Sequence, residues 1–472
     1  MRQRFKIARA LLAAIAALGL LPATHFCAAE NSVEGPQRPI LAIESVALVD
    51  VVQGRIVGPR TVLIRDGRIV AIEDPSATML PPAAVRVDGR GHYLMPGLVD
   101  MHVHLFNNAT DRPPNDWSFP LFVANGVTAV REMAARPADM PMVAEWRAAL
   151  ERGDLIAPRV LAAGVPIRGD SPEAVRRQVR EIQAAGADFV KVFSDVGERQ
   201  WRAALEETRA KGMPLCGHIP ADVSLLTAAD AGQRSNEHLM QVYEASSAKE
   251  HQFLAARQRL DRHHVVKLRD EQEPAVLDSF DPAVCKRAAA ALVRSGQVQV
   301  PTLVMPHFES QRKNLRYRDD PRWPFLRSDE QARWERILGL AHDEQLAARR
   351  WEVSREIVKA LHAVGVPILA GTDTPMPLNY PGYSLHTELE LLVESGLTPA
   401  EALRAATLGP AEFLGIDEGS GSIAPGKRAD LLLLEANPLR DIRNTQRIRA
   451  VVLNGRLLQR TDLDALLNRG PK

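Results

Sequence analysis

The sequence predicts a mixed α/β protein, a (β/α)8 TIM barrel with a small β-sandwich domain built from both termini. Three observations predict it. Eight short apolar segments alternate with amphipathic helical stretches through the middle of the chain. Short β-branched runs punctuated by glycine recur at both ends. A length of 472 residues, 46% hydrophobic and 25% charged, suits one large catalytic domain with a smaller attached one.

From the beginning, residues 1–29 carry Arg2, Arg4, Lys6 and Arg9, then an apolar run from Ala10 to Leu21, then small residues ending Cys27-Ala28-Ala29. This pattern predicts a secretory signal peptide, and the run falls short of the ~20 residues a membrane span needs. The expected destination is outside the cytoplasm, periplasmic or secreted, with no membrane attachment after cleavage. Thr24-His25-Phe26 does not resemble the triplet that precedes an acylated cysteine, so lipidation is not expected. The leader holds four basic and no acidic residues, so the formal charge of +1 becomes about −3 without it. Nothing in that balance suggests nucleic acid. Cys216 and Cys285 are too few for a disulfide scaffold, although one bridge between them stays open.

Residues 30–95 form the first part of the expected sandwich, with strands in LAIESVALVD, TVLIRDGRIVAIED and VRVDGRG. Residues 96–412 form the expected barrel. Its eight strands lie in GLVDMHVHL, VTAVREMA, APRVLAAGV, ADFVKVFSD, MPLCGHIP, SNEHLM, VQVPTLVM and VPILAGTDTP. Ser171-Pro172 opens a typical intervening helix, SPEAVRRQVREIQAAGA. Residues 413–472 close the sandwich with ADLLLLEANP and IRAVVLNGRLL. Two intervals, Gln241 to Asp281 and Pro306 to Asp343, are too long for simple crossovers and follow strand C-terminal ends, where barrels carry their substrate loops. Both are arginine-rich (Arg257, Arg259, Arg262, Arg312, Arg316, Arg318), which would attract an anion or simply form a solvated helix face.

The residues able to do chemistry end these strands. His102 and His104, one residue apart, project to the same side and can hold one metal. Lys191 sits between Phe189 and Phe193 on one strand face, where desolvation would favour a neutral amine able to form a carbamate with carbon dioxide; a lysine reaching solvent is the plain alternative. His218 and His238 are twenty residues apart, about one βα unit, and suit adjacent strands. Asp373 follows an apolar strand and glycine, as either a turn residue or a carboxylate at the barrel mouth. Tyr243 and His307 are candidate substrate-binding residues because each closely follows a strand end; Arg168 and His386 read more simply as surface residues.

With PGLVDMHVHL, Lys191, the His218 and His238 pair and AGTDTP in place, the chain resembles the amidohydrolase superfamily from about Ile40 to Leu458, including the flanking VDGRGHYLMPGLVD and GSIAPGKRADLLLL. The segment PGYSLHTELELLVESGLTPAEALRAATLGPAEFLG resembles its imidazolonepropionase-like and prolidase-like branch. The resemblance implies a first divalent ion on His102, His104 and Asp373, and a second on His218 and His238. Lys191, carboxylated, would bridge the two. Zinc suits these ligands best. It also implies amide hydrolysis of a small molecule, a cyclic amide, N-acyl amino acid or dipeptide, by a hydroxide held between the ions, with Asp373 as the catalytic proton carrier. Pro220 departs from that pattern, since peptide-cleaving relatives commonly place tyrosine two residues beyond the strand-five histidine. A mononuclear deaminase-like or lactone-cleaving enzyme and an inactive exported binding protein are the alternatives. Sequence leaves open the natural substrate, the metal and any homo-oligomer.

Overall fold

The computed structural model describes residues 39–106, 112–258 and 260–468. The expected leader and Arg259 lie outside them. The early chain forms β1 (Leu41–Asp50), β2 (Arg55–Arg65), β3 (Arg68–Glu73), β4 (Val85–Asp88) and β5 (Tyr93–Pro96). The middle forms β6 (Leu98–Val103), β7 (Val127–Glu132), β8 (Arg159–Pro166), β9 (Phe189–Val192), β10 (Leu215–Gly217), β11 (Ser235–Glu237) and β12 (Val298–Val300). β13 (Leu431–Leu434), β14 (Ile448–Leu453) and β15 (Arg456–Gln459) follow.

Both ends of the chain share one sheet, ordered β15-β14-β13-β5-β1-β2-β3, with β4 beside β1. Antiparallel pairing of β13 with β5 sets Leu431 opposite Pro96 and Leu434 opposite Tyr93. Alternation explains the run of four leucines in β13: successive side chains leave opposite faces. Leu431 and Leu433 pack with Ile43, Val62 and Leu94, whereas Leu432 and Leu434 join the main core of the molecule.

β6 to β10 form a parallel sheet in the order β10-β9-β8-β7-β6, and β11 pairs in parallel with β12. Helices such as Pro172–Ala184, capped by Ser171 Oγ accepting from Ala174 N, alternate with these strands. Every residue of β6, β7 and β9 is buried, as expected of parallel strands covered on both faces. The eighth apolar segment is not a regular strand, yet it is hydrogen-bonded on both sides. Gln299 N donates to Pro367 O and Leu369 N to Gln299 O, while Met101 N donates to Ala370 O and His104 N to Thr374 O. The segment meets its neighbours through isolated bridges, Ile368 with Gln299 and Thr374 with Val103. A Cβ on Gly371 would stand 2.9 Å from His102 Cβ, so the chain passes β6 too closely for any side chain, and Asp373 then adopts φ 63°.

Cys216 and Cys285 are both free and buried, so the bridge left open by the sequence is not made. Among the described residues no helix is long and apolar enough to cross a membrane.

Candidate active site

The six residues singled out as ligands converge. His102 is on β6 and His104 just beyond it; Lys191 is on β9; His218, His238 and Asp373 follow β10, β11 and the eighth segment. Parallel strands bring these C-terminal ends side by side although the residues span most of the chain. His238 and Asp373 have φ 59° and 63°, joined by Leu239, Gln241 and Thr302 with positive φ. Such backbone costs about 1–3 kcal/mol per residue and concentrates where side chains must be aimed rather than packed.

His104 Nε2 lies 2.7 Å from Asp373 Oδ1, and His102 Nε2 lies 3.3 Å from the same oxygen. Ring centroids of His102 and His238 are 4.5 Å apart, and those of His218 and His238 5.0 Å. Ligand atoms of His102, His238 and Asp373 all fall within 4.8 Å of one another. That trio draws on both ligand sets expected from the sequence, so the two sets adjoin.

Hydrogen bonds select the tautomers. His102 Nδ1 donates to Glu237 Oε2 at 2.9 Å, leaving Nε2 without a hydrogen-bond partner. Thr302 Oγ1 gives its proton to Pro301 O, so it accepts from His238 Nδ1 at 2.7 Å. Ser194 Oγ lies 3.2 Å from His218 Nδ1. In the His102 and His238 rings the Nε2 lone pair is left for another partner. Burial keeps all three imidazoles neutral: it lowers His102 and His218, with Lys191 reinforcing it, and brings His238 down to about 3. Burial alone would raise the Asp373 carboxyl, but the His104 ring, whose Nε2 lies 2.7 Å from Oδ1, helps hold it well below the usual carboxylate range.

Lys191 is fully buried, and its Nζ has no hydrogen-bond partner among the described residues. It lies 5.3 Å from the centroid of the Phe193 ring. Desolvation brings its ammonium down to about 8, opposed by the Glu237 and Asp373 carboxylates. Orphaned Lys191 Nζ and His102 Nε2, three neutral imidazoles and an ionised carboxylate make a donor set that fits divalent cations.

Sequence reasoning missed the layer behind these ligands. Glu237 accepts from Arg131 Nη2 at 2.8 Å and Ser235 Oγ at 2.5 Å while holding His102. Arg131 also donates to Met101 O at 2.6 Å. Asp100 accepts from His102 N and Thr372, and burial pushes it up to about 7. The available signal was the charged pair Arg131-Glu132 inside the otherwise mostly apolar segment VTAVREMA, together with Glu237 adjoining His238.

A cavity of about 400 Å3 opens on His104, His218, His238 and Asp373. Its walls come from Phe193, Ile219 and Pro301, from the first long interval through Met240 to Leu277, and from Met305, Pro306 and Glu309. Tyr243 lines it, donating to Ser354 Oγ at 2.8 Å, and burial pushes the phenol up to about 12. His307 is not among the lining residues; its ring meets Trp351 edge-on at 5.0 Å, because the helix Val304–Gln311 turns it away. His386 is a buried clamp between Asn125 O and Thr445 Oγ1. Arg168 covers the Phe193 ring from 5.4 Å.

Four of the arginines expected to attract an anion or to form a solvated helix face are instead engaged in ion pairs, and Arg257 is fully buried. Arg257 is buried against Glu244, Arg262 pairs with Asp195, Arg312 with Glu309 and Arg318 with Glu335, and none of these lines the cavity. Arg269 and Arg350 do.

Comparison with known proteins gives the same fold. The model of the amidohydrolase family matches residues 93–458. An ochratoxinase from Aspergillus niger is 24% identical over 91% of this chain and 90% of its own length. A dihydroorotase from Anaeromyxobacter sp. is 33% identical over 38% of this chain, and that match spans 41% of the dihydroorotase. Among solved structures, a putative prolidase from Bifidobacterium longum is 26% identical with a TM-score of 0.63, covering 92% of this chain and 99% of that one.

Proposed function

The chain belongs to the amidohydrolase family, and from that premise we propose that it is a metal-dependent hydrolase of carbon–nitrogen bonds in small amides. The observation that carries this reading is Lys191: a buried amine without a hydrogen-bond partner, beside neutral imidazoles and an ionised Asp373. The proposal extends to a closed eight-membered barrel, supported by the hydrogen bonds of residues 367–374 to both β12 and β6. The sheet shared by the two ends supports the sandwich beside it.

His102, His104 and Asp373 would hold one ion and His218 and His238 the other, with carboxylated Lys191 between them. Such ions supply Lewis acidity towards the amide carbonyl and make water acidic enough to attack at neutral pH. The chain's own residues do the rest. Asp373, ionised by its imidazole neighbours, accepts the proton of the attacking water and delivers it to the departing nitrogen. Glu237 and Thr302 fix the imidazole tautomers of His102 and His238. The products are a carboxylic acid and an amine.

The test is metal analysis beside turnover. Lys191→Ala should reduce bound metal from about two to about one per chain and lower kcat about 100-fold or more. Unchanged metal content and rate would overturn the assignment.

A further inference from the structure

At the other end of the central strands lies a second, smaller cavity of about 40 Å3, which shares no lining residue with the first. It sits where β6, β7 and β8 begin, beside Val99, Thr128 and Arg159. Asp430, next to β13, and the run Ser420 to Ser422 border it from the closing part of the chain.

Arg159 opens β8, and its side chain is only 9% exposed. One edge of the guanidinium is answered, since Nη1 donates to Glu151 Oε1 at 2.5 Å. The opposite edge is not. Nε and Nη2, whose N–H bonds form the parallel fork that grips anions, are buried without a hydrogen-bond partner among the described residues. Asp430 does not fill the fork. Its Oδ2 stops 3.5 Å from Nε, while its Oδ1 is held by Asn454 N at 2.6 Å.

Two further observations favour an anion there. Arg428 Nη1 shares the Glu151 oxygen with Arg159, at 3.0 Å, and Lys427 Nζ reaches only neutral oxygens, those of Asp417 O, Ser420 O and Ser422 Oγ. Arg159, Arg428 and Lys427 thus stand around the carboxylates of Glu151 and Asp430, which leaves one positive charge over. The backbone N–H groups of Ser420, Gly421 and Ser422 also donate to nothing among the described residues, and Gly421 turns the run at φ 81°. Successive amides around a left-handed residue are a common anion cradle. A cavity of this size takes a water-sized particle and excludes a larger organic anion. Water could accept from the fork, but it would leave the surplus charge unanswered and the buried guanidinium poorly compensated.

We propose that this cavity is a halide site, in which chloride accepts from Nε and Nη2 of Arg159 and fastens the Ser420 to Ser422 run to the start of β8. The site is independent of the hydrolase reading, because it lies at the strand ends remote from the ligand cluster.

The test uses full-length protein dialysed against a chelator, so that no halide binds through a metal. Its Tm is compared in sodium chloride and in sodium gluconate, whose anion is too large for the cavity, at equal ionic strength. Wild type should melt about 2 °C higher in chloride at a tenfold excess over Kd, and the gain should grow with the logarithm of chloride concentration. Arg159→Met should melt alike in both salts, and Arg159→Lys, which keeps the charge without the fork, should need several-fold more chloride. Arg269→Met, which removes a cation from the other cavity, should keep the full response. Wild-type crystals grown in bromide should give an anomalous peak between Arg159 and Ser420 to Ser422, a measurement that stands even if Arg159→Met folds poorly. Equal wild-type Tm in chloride and gluconate, or a chloride response that Arg159→Met retains, overturns the proposal. So does a bromide peak without a Tm response, which is binding at crystal concentration only, and so does bromide confined to the other cavity.

Discussion

At the scale of single residues, the ligands were legible and their supports were not. His102, His104, His218, His238, Lys191 and Asp373 each follow from a metal-competent side chain placed at the end of an apolar run. Glu237 is invisible by that logic, because its importance lies in contacts with Arg131 on β7 and His102 on β6, far away in sequence. It is fully buried, and burial would raise its carboxyl were Arg131 and His102 not holding it well below the usual range. Glu237→Gln keeps the shape and removes the charge, leaving Arg131 buried without its counter-ion. Metal affinity should fall about 10- to 100-fold in competition with a fluorescent chelator, and stability by about 3 kcal/mol in denaturant melts. Wild-type affinity and stability in that variant would show that the layer behind the ligands is passive. His307 failed for the opposite reason: strand proximity is a one-dimensional cue, and the helix Val304–Gln311 rotates its ring away from the cavity onto Trp351.

Among the elements, strands were easier to foresee than the way they are joined. All eight central segments were legible from apolar runs, yet the eighth meets its neighbours only through isolated bridges, and at Gly371 it passes too close to His102 for a side chain, a constraint that no local pattern carries. The contact between helices Val304–Gln311 and Tyr383–Glu394 was equally hidden. Buried Glu388 of the second accepts from Val304 N of the first at 2.9 Å, while its other oxygen has no hydrogen-bond partner. Burial pushes this carboxyl up to about 8. Its folded value thus exceeds its unfolded one, so the folded state holds a proton that the unfolded state has already released above about pH 4.5. Stability is lost as pH climbs from there towards 8. Glu388→Gln removes that loss: the Tm difference between variant and wild type should be near zero at pH 5 and grow to about 5 °C in favour of the variant by pH 8. A difference independent of pH would refute the buried-acid account.

For the molecule as a whole, the mixed α/β class and the pairing of both chain ends were readable because each rests on repetition, strand after helix and glycine turn after β-branched run. The cavity wall was only half readable, since arginine content does not reveal which guanidinium is already neutralised. The candidate ligands come from strands running from β6 to the eighth segment, so on the proposed function any ions held there would tie distant parts of the chain together and their removal should be felt globally. Dialysis against a strong chelator should lower Tm by several °C, and zinc should restore it in proportion to the logarithm of its concentration, about 2.7 kcal/mol at a hundredfold excess over Kd. A Tm indifferent to chelation would mean that the ligand cluster is preformed and closed without metal.

The sheet in which β13 pairs with β5 also imposes a timetable. During synthesis at roughly 5–20 residues per second, β5 emerges early and its partner more than two-thirds of the chain later, an interval on the order of tens of seconds. Throughout that wait β5, Tyr93–Pro96, has no partner on its β13 side while the strands that carry the ligand cluster are being made. A nascent chain of this design cannot finish its first sheet until its last strands arrive, so it stays open to holding factors for the larger part of its own translation.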